Sequence, residues 1–298
     1  MYELLALFTG LILSVMVSVN GSLSDRYGAF LAAVIVHVVG ILFAVILCTA
    51  KRDRKKMFGF APGWIYLGGV IGALTTVCNN VAFGHISMTS IVALGLLGQT
   101  VMSLAIDCFG LFGMKRHPFQ KKSLIGLVFS LAGIGIMLDD SVREAVYAVC
   151  FSLMAGVTVV LSRTVNARLA DRTGALEGSL INHLAGLPVT ILIAILAAGP
   201  GGIVHGIMAG GVHFPAQPWI YLGGTMGVVV VLLCNLTVPR VSAFRLTVLT
   251  FVGQVLTGLL LDVAIGKCRL DASFAGGVVI SAGMAVNLMV EKISSAGD

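Results

Sequence analysis

Hydrophobic residues run along this chain in long stretches, separated by short polar and charged clusters. The stretches lack the in-out alternation of membrane-barrel strands, and most are long enough for a helix to cross a bilayer, about 20 residues. We therefore predict an all-α membrane protein with ten transmembrane helices, near residues 4–20, 28–50, 62–83, 89–112, 122–138, 145–163, 174–198, 218–238, 245–266 and 272–290. The longest predicted loop is the Gly- and Pro-rich segment 199–217.

The pattern also repeats. One set of residues returns 146 positions later: Val19-Asn20, Asp25-Arg26, Gly28, His37 and Gly40 match Val165-Asn166, Asp171-Arg172, Gly174, His183 and Gly186. Another set returns 155 positions later: Trp64-Ile65-Tyr66-Leu67-Gly68-Gly69, Asn80, Gly98-Gln99 and Asp107 match Trp219-Ile220-Tyr221-Leu222-Gly223-Gly224, Asn235, Gly253-Gln254 and Asp262. We predict two five-helix repeats, residues 1–140 and 141–298. Because five is odd, the second repeat starts on the opposite side of the membrane, which predicts an inverted pair about an axis in the membrane plane.

Composition and charge agree with a membrane location and exclude other classes. The chain is 58% hydrophobic and only 11% charged, whereas charged residues make up about a quarter of a soluble domain. A net charge of +6 would suggest nucleic acid in a soluble protein. Here fifteen of the 19 Lys and Arg residues fall in segments on one predicted side, which predicts that both termini lie in the cytoplasm and that nucleic acid is not a partner.

Two polar stripes are candidates for a substrate site. Gln99, Ser103 and Asp107 are spaced so that they share one face of the fourth span, and Gln254, Gly258 and Asp262 repeat that spacing in the ninth. One hypothesis is that Gln99 and Gln254 line a midplane site, with Asp107 and Asp262 as alternating gates. The alternative is that each aspartate is a permanent interhelical fastener.

Other repeated polar residues allow similar alternatives. Asn80 and Asn235, near the ends of the third and eighth spans, contact substrate in one interpretation and make interhelical hydrogen bonds in the other. His37 and His183 lie near mid-span. In one interpretation their imidazoles carry a coupling proton, and in the other they are packing residues with satisfied hydrogen bonds. Glu177 has no acidic counterpart, its mate being Leu31, and we expect it to be solvated near an entrance.

The function classes narrow accordingly. The spans contain no HExxH motif and no nucleophile-base-acid set, so we predict a protein that is not an enzyme and that uses neither metal nor cofactor. Duplicated polar stripes favour a small-molecule transporter; a channel-like pore for small solutes is the alternative. Membrane lipid is the expected surrounding partner.

The segments VN-x-x-L-x-DR-x-GA, W-I-Y-L-G-G and G-Q-x7-D, each present in both halves, resemble the YdcZ family of inner-membrane exporters in the drug/metabolite transporter superfamily, here as a fused two-repeat form. The resemblance implies a bundle of ten helices with a central cavity, alternating access, and export of a metabolite or drug from the bacterial inner membrane.

Small multidrug resistance relatives carry an acid in their first span, whereas spans 1 and 6 here carry none. A neutral or zwitterionic metabolite therefore fits better than a proton-exchanged drug. The cargo, the direction of flux, the coupling ion and the choice between monomer and homodimer stay open.

Overall fold

The computed structural model describes residues 1–51, 62–82, 85–86, 88–117, 123–138, 140, 142, 145–211, 217–264 and 272–295, without the side chains at 80, 88–89, 123, 209–211, 259, 261–264, 273, 284–285 and 287–295. Ten α-helices occupy these residues: α1 Tyr2–Tyr27, α2 Ala29–Ala50, α3 Gly68–Ala82, α4 Met88–Phe109, α5 Ser123–Met137, α6 Val146–Thr173, α7 Ala175–Gly211, α8 Leu222–Thr237, α9 Ala243–Ala264 and α10 Ala272–Ser295. Short 3-10 turns precede α3 and α8, at Gly63–Leu67 and Pro218–Tyr221.

The all-helical prediction is confirmed, and each predicted span coincides with one of the ten helices. In the described part of the chain, six helical segments are long and apolar enough to cross a membrane. Four shorter apolar helical segments account for the remaining spans: Gly63–Asn79, Leu124–Met137, Ala243–Gly258 and Phe274–Gly283.

Three helix ends differ from prediction. α1 and α6 continue through their polar Asn and Asp-Arg residues and stop only before Gly28 and Gly174, whose positive φ angles of 78° and 104° suit glycine. The predicted loop from 199 is wrong over its first part, because α7 breaks at Gly199 (φ 67°, ψ 165°) and then continues to Gly211. Pro200 follows the break, where its fixed φ and missing N–H favour the first position of a helix.

The helices group into two compact units. The first unit comprises Met1–Leu11, Cys78–Val160 and Pro239–Asp298, and the second comprises Ile12–Val77 and Leu161–Val238. Each unit therefore contains helices from both predicted repeats, so the units are a different division of the chain from the repeats at 1–140 and 141–298. That repeat boundary stays a prediction.

In the second unit, α2 packs against α7 and α8. Along α2 and α7, His37 is opposite Gly186 and Gly40 is opposite His183, so the two helices run antiparallel. Ala44, Leu180 and Val228 form a buried cluster where α2, α7 and α8 meet.

In the first unit, α4 packs against α9 and α5 against α10. Ser103 is opposite Thr247 and Asp107 is opposite Ala243, so α4 and α9 are also antiparallel. Between α5 and α10 the backbones approach closely at Gly133 and Gly276.

Candidate functional site

A pair of histidines lies inside the second unit. The ring centroids of His37 on α2 and His183 on α7 are 5.7 Å apart, with the planes tilted by 56°. Each Nδ1 lies 2.8 Å from the backbone carbonyl four residues earlier, on Ala33 and Ser179 respectively. Because a carbonyl only accepts, each Nδ1 is the donor, and in the neutral ring each Nε2 keeps its lone pair. The structure thus brings together the two residues predicted for proton coupling.

Glycines make room for the two rings. A side chain at Gly186 would overlap Nε2 of His37, and a side chain at Gly40 would lie 2.9 Å from Nε2 of His183 and closer still to its ring carbon Cδ2. His183 is buried, with 4% of its surface exposed. The close approach of α2 and α7 therefore depends on having glycine opposite each imidazole.

Asparagines make a second set of contacts with glycine in the same unit. The Asn166 amide lies against Gly68, and the Asn20 amide lies against Gly223. Asn166 Nδ2 donates to Asn182 Oδ1 at 2.7 Å. The Oδ1 atoms of Asn20 and Asn166 are buried without a hydrogen-bond partner among the described residues, and each faces a glycine Cα, the geometry of a weak Cα–H···O contact.

Asn235 connects α8 to the start of α7. Its Nδ2 donates to the Ala175 carbonyl at 2.9 Å, and the residue is 4% exposed. This contact is the interhelical hydrogen bond of the alternative interpretation. The side chain of Asn80, its repeat mate, lies outside the described residues, and the proposed substrate contacts of both stay predictions.

Asp107 holds the beginning of α9. Its Oδ1 accepts from the Ala243 N–H and its Oδ2 from the Phe244 N–H, both at 2.8 Å, and the residue is 6% exposed. Free N–H groups and the helix dipole make the first turn of a helix a favourable place for a carboxylate. This geometry is the fastener of the alternative interpretation, while a gating role stays a prediction. The side chain of Asp262 lies outside the described residues.

The remaining residues of the α4 stripe are placed as follows. Ser103 is fully buried and shares a 2.7 Å hydrogen bond with Thr247 on α9. Gln99 and Gln254 are half-buried. At each glutamine, a glycine of another helix lies close to the backbone. A Cβ on Gly156 would lie 2.8 Å from Gln99 N, and a Cβ on Gly10 would lie 3.0 Å from Gln254 N.

Sequence reasoning missed an ion pair made by a buried acid in the second unit. Glu177, expected to be solvated, is 3% exposed, and its Oε1 lies 2.7 Å from Lys51 Nζ. The expectation was wrong because the first turn of α7 packs inside the unit. The signal available in the sequence was an acid inside a predicted span.

The contacts between helices recur in reciprocal pairs. His37 with Gly186 matches Gly40 with His183, and the Asn166–Gly68 contact matches Asn20–Gly223. In the first unit, the tight contact of Gly98 with the Leu153 carbonyl matches that of Gly253 with the Leu7 carbonyl. In each case, residue i of one half contacts residue j of the other, and the same contact recurs with the two halves exchanged.

The described residues contain no group of three or more His, Cys, Asp or Glu side chains that could hold a metal ion. Polar side chains are buried between the apolar helices. The apolar helices define an all-helical, multi-spanning membrane protein.

Comparison with known proteins gives the family. The family described as "Putative inner membrane exporter, YdcZ" matches residues 1–136 and 147–286, one segment in each half, and the chain belongs to this family. The resemblance noted from the sequence motifs, including the two-repeat form, is confirmed. A solved structure titled "Crystal structure of protein" is similar in fold, with a TM-score of 0.68 and 16% identity over 97% of this chain and 96% of the other. No curated protein matches the chain.

Proposed function

We propose that this protein exports a small metabolite or drug across the bacterial inner membrane by alternating access between two inverted repeats, with both termini in the cytoplasm. Membership of an exporter family supports transport as the activity. The mechanism rests on the packing of the helices, and the orientation rests on the distribution of Lys and Arg along the sequence.

The observation that carries the mechanism is the reciprocal packing of equivalent helices. In the second unit α2 lies antiparallel to its repeat mate α7, and in the first unit α4 lies antiparallel to its mate α9. Equivalent helices that run in opposite directions support an axis in the membrane plane. Such a pair has two nearly equivalent closures, one for each side of the membrane, which is the physical basis of alternating access.

Two ion pairs agree with the order of membrane crossings predicted from the sequence. Lys51 at the end of α2 pairs with Glu177 at the start of α7, and Arg245 on α9 pairs with Glu3 on α1 at 2.8 Å. All four helix ends belong to the side that the distribution of Lys and Arg assigns to the cytoplasm. Residues from distant parts of the sequence thus meet as that topology requires.

The roles predicted from the sequence are part of this proposal. Asp107 and Asp262 act as gates, and His37 and His183 carry a coupling proton. The residues that contact substrate are Gln99, Gln254, Ser103, Asn80 and Asn235. The 5.7 Å separation of the imidazoles supports a shared proton, because two charged rings so close would repel each other.

Reconstituted protein tests the proposal. Thermal-shift screening of the purified chain against a metabolite panel selects a cargo, and proteoliposomes loaded with that cargo should then show saturable counterflow of a labelled copy. An ohmic current without counterflow would favour the channel-like pore. Uptake that still followed an imposed pH gradient after both histidines were replaced by Ala would remove the proton-coupling role while leaving transport intact.

A further inference from the structure

Glu177 is a buried acid with an incomplete set of partners. Its Oε1 receives the Lys51 ammonium at 2.7 Å, while its Oε2 is buried and has no hydrogen-bond partner among the described residues. An ionised carboxylate accepts at both oxygens, and one ion pair rarely offsets the desolvation of a buried acid. The acid thus has capacity for a further donor.

The fold does not require an acid at this position. Leu31, the repeat mate of Glu177, is also buried, with 9% of its surface exposed. An apolar residue therefore fills the equivalent place in the other half of the same chain. Because hydrophobic residues in place of a buried ion pair are often neutral or stabilising, packing alone does not account for Glu177.

Lys51 is the more exposed partner of this ion pair. It lies just beyond the last residue of α2, with extended backbone angles (φ −74°, ψ 128°), and its side chain is 36% exposed while that of Glu177 is 4% exposed. The side chain is a primary ammonium on a four-carbon stem. It shows which chemistry the carboxylate accepts: a compact cation with several N–H donors.

We infer that Glu177 is a recognition site for the ammonium group of the cargo, and that Lys51 occupies it when cargo is absent. The inference rests on the proposed transport function and specifies its substrate class: small molecules with a primary amine, zwitterions among them. An incoming ammonium displaces the Lys51 Nζ from Oε1 and also supplies a donor for Oε2. The predicted cytoplasmic position of the site suits loading by an exporter.

Chemical rescue tests the ammonium site directly. Lys51→Ala leaves Glu177 without this partner, and n-butylammonium chloride supplies the same four-carbon chain and ammonium group as a lysine side chain. In detergent, n-butylammonium should raise the unfolding temperature of Lys51→Ala. It should not raise that of the matched control, Lys51→Ala with Glu177→Leu, which copies the leucine of the other repeat. n-Butanol at the same concentration should not discriminate between the two variants. Equal shifts in both variants, or equal effects of amine and alcohol, would overturn the inference.

Transport separates the inference from the function on which it rests. Proteoliposomes are assayed for counterflow of radiolabelled alanine, putrescine and glycerol. The wild type should exchange an amine, and Glu177→Gln should reduce that exchange about tenfold or more, as expected for loss of a charge-assisted bond. Exchange of glycerol alone, or equal amine exchange by both proteins, would overturn the ammonium site and leave transport standing. An ohmic current without counterflow would overturn the proposed function, while the rescue experiment would still report on the site.

Discussion

At the scale of residues, several close helix contacts in the second unit pair a polar side chain with a glycine. His37 faces Gly186, and Asn166 faces Gly68. A glycine lets a helix backbone approach the polar group, and in an apolar surrounding this contact replaces the hydrophobic attraction that lipid does not provide. Each polar side chain is thus held in one position by the backbone opposite.

The first prediction concerns Gly186. Gly186→Ala places a methyl group on the His37 imidazole and should lower the free energy of unfolding by about 1–3 kcal/mol. Adding His37→Ala removes the ring, so the double variant should recover part of that loss, which a double-mutant cycle in detergent measures. Gly21→Ala is the control, because no described atom beyond the local helix backbone lies within 4 Å of its Cβ position. Strictly additive changes would contradict the contact.

The second prediction concerns Asp107. Asp107→Asn replaces one of the two accepting oxygens by an NH2 group, which cannot accept, and it removes the charge from the first turn of α9. We expect a loss of about 1–3 kcal/mol in unfolding free energy and slower transport, with membrane insertion retained. Asp171→Asn is the control, because that acid is exposed and its ion pair is with Arg168, three residues away on the same helix.

The gating role of Asp107 has its own readout. A permanent fastener lowers the stability of the protein when it is lost, whereas a gate also changes the rate of exchange per folded molecule. Normal flux in the double variant with Asp107→Asn and Asp262→Asn, after correction for folded protein, would end the gate hypothesis. The structural role of Asp107, which accepts two hydrogen bonds from the first turn of α9, would still stand.

The repeat in the sequence identified which residues are equivalent in the two halves but not what they contact. His37 and His183 are equivalent by the repeat, and the structure places their ring centroids 5.7 Å apart, a contact that the repeat alone does not predict. Their contacts with Gly186 and Gly40 were not predicted, because a membrane helix is apolar on its lipid face as well as its protein face and so shows no stripe. Comparison of the halves also did not point to Glu177 as a candidate site residue, since the equivalent residue in the first half is a leucine.

At the scale of elements, apolar length predicted the helices but not their ends. The polar ends of α1 and α6 remain helical because hydrogen bonds within the helix satisfy the backbone up to the next positive-φ glycine. In α7, Gly199 and Pro200 suggested a loop, yet proline is compatible with the first position of a new helix. A glycine followed by a proline therefore marks a break between two helical segments as readily as the end of a helix.

The third prediction concerns the contact of α5 with α10. A Cβ on Gly133 would lie 2.6 Å from the Gly276 carbonyl and would overlap Ile280, so Gly133→Ala must push the two helices apart. We expect a loss of about 1–3 kcal/mol in unfolding free energy. Gly135 lies two residues along the same helix, and among the described residues no atom beyond the local backbone lies within 4 Å of its Cβ position. Gly135→Ala should therefore be neutral or up to about 1 kcal/mol stabilising. Equal effects of the two variants on thermal unfolding would contradict the contact.

At the scale of the whole molecule, the matched contacts within each unit relate the two halves of the sequence. Sequence duplication alone does not produce these matched contacts, since two repeats that folded independently would make no contacts with each other. Here equivalent helices from the two halves pack against each other, as α2 does with α7 and α4 with α9. The halves therefore depend on each other for their packing, and a truncated half would expose these glycine faces.

The fourth prediction tests the inverted arrangement with two equivalent residues. Asp25 and Asp171 are 146 positions apart, match in the repeat and are both exposed. In a background without other cysteines, Asp171→Cys should react with a membrane-impermeant maleimide only after the inner membrane is opened, and Asp25→Cys should react in cells with the outer membrane permeabilised. The reason is that five crossings separate equivalent positions, which places them on opposite sides. Labelling of both cysteines from the same side would exclude inverted repeats and the alternating access built on them, while the helix contacts would remain.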